Sequence, residues 1–177
     1  MFHKTPPYHI SRSDVAARAS RVRLVLVDND GTLTDGRSFY TARGEEMKAY
    51  SLRDGVGVQL LREAGIETAL ISSDASEIAA RRAETLKLPH TFLGIQNKLE
   101  HLQQIEAATG FKRDVMAYIG DDLDDLEIIQ ALAKVSVVGT PFDGHARLRD
   151  YAHFISAKPG GNGAFREFAE WLLAWKG

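Results

Sequence analysis

Four short stretches carry the side chains able to do chemistry. They are Asp28-Asn29-Asp30-Gly31-Thr32, Ser72-Ser73-Asp74, Asn97-Lys98 and Gly120-Asp121-Asp122-Leu123-Asp124-Asp125. Acid, acid, hydroxyl, cation and acids in that order suit a phosphate ester. A carboxylate at Asp28 can attack phosphorus as a nucleophile. Asp30, two residues on, can give a proton to the leaving oxygen and later take one from water. Ser72 and Lys98 can hold phosphoryl oxygens, and free N–H groups at Asn29 and Asp30 can help. Carboxylates gathered in one place repel each other unless a cation joins them. Oxygen-only donors point to magnesium, which in turn suits a phosphate substrate.

Each residue alone has a plainer reading. A single acid at a strand end more often caps a helix or faces water. Asp122 and Asp125 sit where a helix starts, a position that capping and the helix dipole also favour. Weight therefore falls on the order of the set and on the elements that precede each member. Arg23 to Asp28, Glu67 to Ser72 and Val115 to Gly120 are near-continuous apolar runs, and Val135 to Val138 is a fourth. Such runs belong to a parallel sheet covered on both faces. Between and after them, Asp54 to Ala64, Ser76 to Leu86, Lys98 to Thr109 and Asp122 to Leu132 carry apolar residues at three- and four-residue spacing. Strand and helix alternation of this kind predicts a doubly wound, Rossmann-like α/β sheet. Ligands of such sheets bind at the carboxyl ends of the strands, where the acids fall.

Two segments break the alternation. Arg37 to Leu52 has a turn-like Ala-Arg-Gly-Glu-Glu between strand-like pieces and reads as an inserted β-hairpin. Lys158 to Gly163 is Gly-rich and precedes a last amphipathic helix, Ala164 to Trp175, whose Phe165, Phe168, Trp171 and Leu172 form a core stripe. Asp14 to Ser20 is a candidate short helix. No linker or repeat divides the 177 residues, so residues 1–177 read as one domain.

Composition excludes several classes. Hydrophobic residues make up 44% and charged residues 26%, which is not a disordered chain. The absence of Cys removes disulfides, thiolate metal sites and a Cys nucleophile. A net charge of -2 argues against a nucleic-acid partner. No apolar run approaches the ~20 residues of a membrane span. The opening residues lack the apolar core of a signal peptide, which favours the cytoplasm. The six His residues show no metal-ligand spacing.

The motifs resemble those of the haloacid dehalogenase superfamily of phosphatases. Asp28 to Gly36 is similar to its first motif, Ser72 stands at the second, Lys98 matches the third and Gly120 to Asp125 the fourth. Within it, the chain resembles the capless 3-deoxy-octulosonate 8-phosphate phosphatases and their nonulosonate 9-phosphate relatives. That likeness rests on Gly44-Glu45-Glu46-Met47-Lys48, Arg53-Asp54-Gly55, Arg81-Arg82-Ala83, Asn97-Lys98 and Gly160-Gly161-Asn162-Gly163-Ala164-Phe165-Arg166-Glu167. The resemblance implies Asp28 as nucleophile forming an aspartyl-phosphate and Asp30 as general acid/base. It implies Mg²⁺ held by the Asp28 carboxylate, the Asp30 backbone carbonyl and Asp121, with Asp122 and Asp125 in support. Ser72, Lys98, Arg82, Asn29, Arg53, Asp54, Gly55 and Asp74 would bind phosphate or substrate. It also implies a homotetramer built through the hairpins, with each site closed by a neighbouring subunit and Lys158 to Gly163 approaching that neighbour's site.

Three positions depart from the family pattern. Asn29 replaces the usual Val or Ile, while Asp74 and Gln59 stand where the octulosonate enzymes usually carry Arg. Asp74 tilts toward a nine-carbon acid, whereas Thr85 stands where those enzymes often carry Lys. The leading expectation is a Mg²⁺-dependent phosphatase of 3-deoxy-octulosonate 8-phosphate, with a deaminoneuraminate or N-acylneuraminate 9-phosphate phosphatase as alternative. A receiver-type phosphoacceptor places its acids on different strands, unlike Asp28 and Asp30. A non-catalytic oligomer of the same fold is the remaining class.

Overall fold

The computed structural model describes residues 10–176; the opening residues used above in weighing a signal peptide lie, up to residue 9, outside the described residues. Six strands form one parallel sheet: β1 (Leu24–Val27), β4 (Glu67–Ile71), β5 (His90–Phe92), β6 (Met116–Ile119), β7 (Val138–Thr140) and β8 (Phe154–Ile155). Their order is β5-β4-β1-β6-β7-β8. From β1 the chain winds one way to β4 and β5, then returns to build β6, β7 and β8 on the other side. The reversal lies between β1 and β6, where open α/β sheets leave a crevice at the strand ends.

Alternation along β1 sorts the core into two layers. Val25 and Val27 pack with Val58 and Leu61 of α2 (Leu52–Glu63), Ala79 and Ala83 of α3 (Glu77–Thr85) and Phe165, Phe168 and Leu172 of α7 (Ala164–Leu173). Leu24 and Leu26 pack with Leu102 and Ile105 of α4 (Lys98–Thr109) and Ile128, Ile129 and Leu132 of α5 (Leu126–Ala133). A first short helix, α1 (Arg12–Ala19), and a late turn of helix, α6 (Ala146–Arg149), complete the set. Phe168 stacks on Trp171 and Phe154 packs tilted against both, so the aromatic stripe of α7 is core, as its spacing predicts.

Between β1 and α2 the chain inserts the hairpin β2 (Phe39–Thr41) and β3 (Gly44–Met47), antiparallel and joined by a two-residue turn. It lies within the segment expected to form it, although Leu52 already begins α2 behind the Ser51 N-cap. Phe39, Tyr40 and Met47 are 56%, 72% and 58% exposed, an unusual density of apolar surface on so small a sheet.

Two boundaries differ from expectation. The fourth strand is Val138–Thr140 rather than Val135 to Val138, because the N–H groups of Val135 and Ser136 still bond Leu132 at the end of α5. The helix expected from Asp122 opens with a tighter turn, Leu123–Asp125, before α5 begins at Leu126. The Asp125 carboxylate causes this, since it folds back onto the N–H groups of Asp121 and Asp122.

Candidate active site

β1 pairs in register with both β4 and β6, so Asp28 leaves the sheet at its centre with its N–H on Ile119 O at 3.0 Å. Asp28 is 5% exposed. Lys98 is the first residue of α4, held there by the Asn97 side chain, which accepts from Glu100 N–H. A cation at a helix N-terminus opposes the helix dipole and needs compensation. Carboxylates supply it: the Lys98 ammonium lies 2.7 Å from Asp28 Oδ1, 2.5 Å from Asp125 Oδ1 and 3.0 Å from Asp124 Oδ2. Asp125 has no freedom left, because its Oδ1 also accepts from Tyr118 O–H and its Oδ2 accepts from Asp121 N–H at 2.8 Å.

Asp121 faces the first motif, where its Oδ1 accepts from Thr32 O–H at 3.2 Å. Gly31 makes this approach feasible, since a Cβ there would come within 2.0 Å of the Asp121 carboxylate. Asp28, Asp121 and Asp125 each offer an oxygen within 4.8 Å of the others, the one such group among the described residues. Burial, then Asp125, pushes the Asp28 carboxyl well above the usual carboxylate range, with Lys98 only partly opposing. Burial and Asp125 push Asp121 up to about 7. Burial also raises Asp125, against Lys98. Burial alone would lower the Lys98 ammonium, but Asp28, Asp125 and Asp124 outweigh it and keep it charged. One lysine thus leaves a surplus of negative charge among buried acids. An oxygen-only set with that surplus fits a hard divalent cation.

Asp30 does not aim its side chain at this group. Its Oδ1 accepts from Lys48 Nζ at 2.7 Å, and the same ammonium donates to Asp74 Oδ2 at 2.8 Å. Lys48 follows β3, and its role was not legible in sequence because its partners lie far along the chain. Tyr118 likewise carries no sequence signal, whereas Thr32 stands within the first motif but has no role assigned to it there. Ser72, buried just past β4, accepts from Asp74 N–H through Oγ at 3.1 Å. Asn29 is fully buried; its Oδ1 accepts from Tyr50 O–H at 3.1 Å, and Arg82 lies over the Tyr50 ring at 5.2 Å. Lys48, Tyr50, Ile78, Arg82 and Thr85 line a cavity of about 350 Å³ beside Asp74's partner lysine. A Cβ at Gly55 would stand 3.2 Å from the Arg82 guanidinium, so that glycine gives Arg82 room.

Of the expected substrate or metal contacts, Asp54 and Asp122 hold backbone N–H groups and Arg53 lies on the surface. Asp54 is 1% exposed, and its two oxygens accept from Gly163 N–H at 3.1 Å and Arg166 N–H at 2.9 Å. It caps α7, whose Gly163 cap offers no side chain of its own. Asp122 is an exposed cap that accepts from Leu123 N–H. Arg53 is exposed in the first turn of α2. The Gly-rich tail docks on the first motif of its own chain. Gly161 N–H donates to Thr32 O at 2.9 Å, and a Cβ at Gly160 would stand 1.8 Å from Gly31 O. Only a residue without a side chain lets the two backbones meet so closely.

No family model matches the chain. It is 34% identical to the 3-deoxy-D-manno-octulosonate 8-phosphate phosphatase KdsC of Yersinia pestis, over 90% of this chain and 84% of that protein. Among solved structures it is similar to the 3-deoxy-D-manno-octulosonate 8-phosphate phosphatase of Moraxella catarrhalis, solved with magnesium, phosphate and KDO. That match has a TM-score of 0.86 and 33% identity, over 94% of each chain. The cobalt-bound octulosonate 8-phosphate phosphatase YrbI of Haemophilus influenzae matches with a TM-score of 0.84 and 31% identity, over 90% of this chain and 91% of that one. A parallel sheet with acids at its switch point, matched over nine-tenths of the chain by relatives at this identity, places the chain in the family of 3-deoxy-D-manno-octulosonate 8-phosphate phosphatases, of the haloacid dehalogenase fold.

Proposed function

We propose that this chain hydrolyses 3-deoxy-D-manno-octulosonate 8-phosphate through an aspartyl-phosphate on Asp28. The observation that carries the reading is the close group of Asp28, Asp121 and Asp125 at the β1/β6 switch, with Lys98 paired to Asp28 and Asp125. Relatives over nearly the whole chain bear the name of that activity.

In the first half-reaction an Asp28 oxygen bonds to phosphorus while the bond from phosphorus to the sugar oxygen breaks. Asp30 gives its proton to the departing oxygen, which leaves as the sugar alcohol. In the second half a water attacks the aspartyl-phosphate and Asp30 takes its proton. Phosphate leaves and the Asp28 carboxylate is restored. Lys98 fixes the Asp28 carboxylate by its 2.7 Å contact and offsets charge on the phosphoryl oxygens, with Ser72 beside them. Mg²⁺ would be held by Asp28 and Asp121 with the Asp30 backbone carbonyl, while Asp125 keeps Lys98 and the Asp121 loop in place. When bound, that ion supplies positive charge against the phosphoryl oxygens. Arg82 and Lys48 border the cavity that would take the sugar acid, Asp74 acts on it through its pair with Lys48, and Asn29 and Gly55 position Arg82 through Tyr50 and by free space. The exposed Phe39, Tyr40 and Met47 support assembly into a homotetramer through the hairpin.

The test is initial rates, with and without Mg²⁺, on the eight-carbon 8-phosphate and on deaminoneuraminate 9-phosphate side by side. A clear preference for the eight-carbon acid supports the assignment. A preference for the nine-carbon acid overturns it while leaving the chemistry intact.

A further inference from the structure

Among the described residues, Lys48 is the one nearly buried cation near the reaction that no phosphate role absorbs. Its side chain is 2% exposed and lies 2.7 Å from Asp30, 2.8 Å from Asp74 and 3.4 Å from Glu45. An ammonium has three N–H donors, and here three carboxylates surround it. Those acids come from the loop after β1, the loop after β4 and strand β3 of the hairpin. Glu45 is itself fixed, accepting from Ser38 O–H at 2.5 Å and Ser76 O–H at 2.9 Å. Lys48 is therefore immobilised from two sides before it meets Asp30. Among the described residues, the Asp30 carboxylate has no other hydrogen-bond donor, and the contact uses Oδ1 alone. One oxygen is anchored, and the other has no partner that fixes it elsewhere.

We propose that Lys48 is a positioning residue that holds Asp30 by Oδ1 in the orientation needed for proton transfer to the leaving oxygen. This rests on the reading of Asp30 as the general acid. Proton transfer matters most where the leaving oxygen is a poor leaving group, and least for p-nitrophenolate. The effect of removing Lys48 should therefore grow with leaving-group basicity, which simple destabilisation of the fold would not produce.

The experiment measures kcat/KM, which reports steps up to phosphoryl transfer, on p-nitrophenyl, phenyl and ethyl phosphate with Mg²⁺. Wild type, Lys48→Met, Lys48→Arg and Asp30→Asn are compared. The expected result is a loss in Lys48→Met of about tenfold or more on ethyl phosphate and about threefold or less on p-nitrophenyl phosphate. Lys48→Arg should recover part of the difference, because it can still donate to Oδ1. An equal loss on all three substrates, or none, overturns the proposal if Asp30→Asn does show the leaving-group dependence. If Asp30→Asn shows none, the general-acid reading and this proposal both fall. A loss confined to the sugar-acid phosphate and absent from this series would make Lys48 a substrate ligand and would also overturn it.

Discussion

The acid cluster predicts that the metal-free protein is strained by its own charge, and the strain has a defined pH window. Asp121 is pushed from its ordinary value of 3.8 to about 7, first by burial and then by Asp125. The native state then binds more protons than the unfolded chain between those two values, so stability falls as pH rises across them. A gap of about three pH units corresponds to about 4 kcal/mol. Partial solvent access and joint titration with Asp28 and Asp125 reduce this to about 2–4 kcal/mol. His153 acts with the opposite sign. Burial, helped by Arg18, lowers it to about 4, so the folded state binds fewer protons up to the ordinary 6.5 and stability rises across that window. The wild type alone would blend the two slopes. Asp121→Asn leaves His153 untouched, so the difference between variant and wild type isolates Asp121 together with its coupling to Asp28 and Asp125. Equilibrium urea unfolding in EDTA at pH 4 and pH 8 should show the variant gaining about 2–4 kcal/mol relative to wild type at the higher pH. Saturating Mg²⁺ should restore the wild type at pH 8. A difference that stays constant with pH would refute the account of the cluster.

Other expectations follow from single contacts. Gly160→Ala drives a Cβ to within 1.8 Å of Gly31 O, so the tail must lift from the first motif; unfolding should lose about 1–3 kcal/mol, with a fall in kcat. Asp54→Ala strips two backbone N–H groups at the start of α7 of their acceptor; the cost of about 1–3 kcal/mol should show in the denaturation midpoint rather than in KM. The proposed assembly through the hairpin predicts that wild type sediments as a tetramer and that Tyr40→Lys shifts it toward smaller species; identical sedimentation of the two would count against that assembly.

How much was legible varies along the chain for physical reasons. β1, β4 and β6 announce themselves because they are buried on both faces and must be apolar throughout. β5 and β8 carry no such signal: they are sheet-edge strands of three and two residues, too short for a period and only partly buried. The acids were legible as a set because local motifs hold them just past strand ends. Geometry beyond the motif was not. Asp54 sits in a run that suggested substrate contact, yet its partners are backbone N–H groups more than a hundred residues away. Lys48 lies in a mixed-charge hairpin where a solvated lysine would look the same, and only the fold brings Asp30 and Asp74 to it. Nothing in the structure explains Gln59 at the site, since its side chain pairs with Glu63 on the exposed face of α2.

The central claim is covalent catalysis by Asp28 on the eight-carbon substrate, and one comparison tests it most directly. Initial rates on 3-deoxy-D-manno-octulosonate 8-phosphate with Mg²⁺ should fall by about a thousandfold or more in Asp28→Asn, with no radiolabelled phosphate retained on that variant after acid quench. Turnover by Asp28→Asn near the wild-type rate would contradict the account.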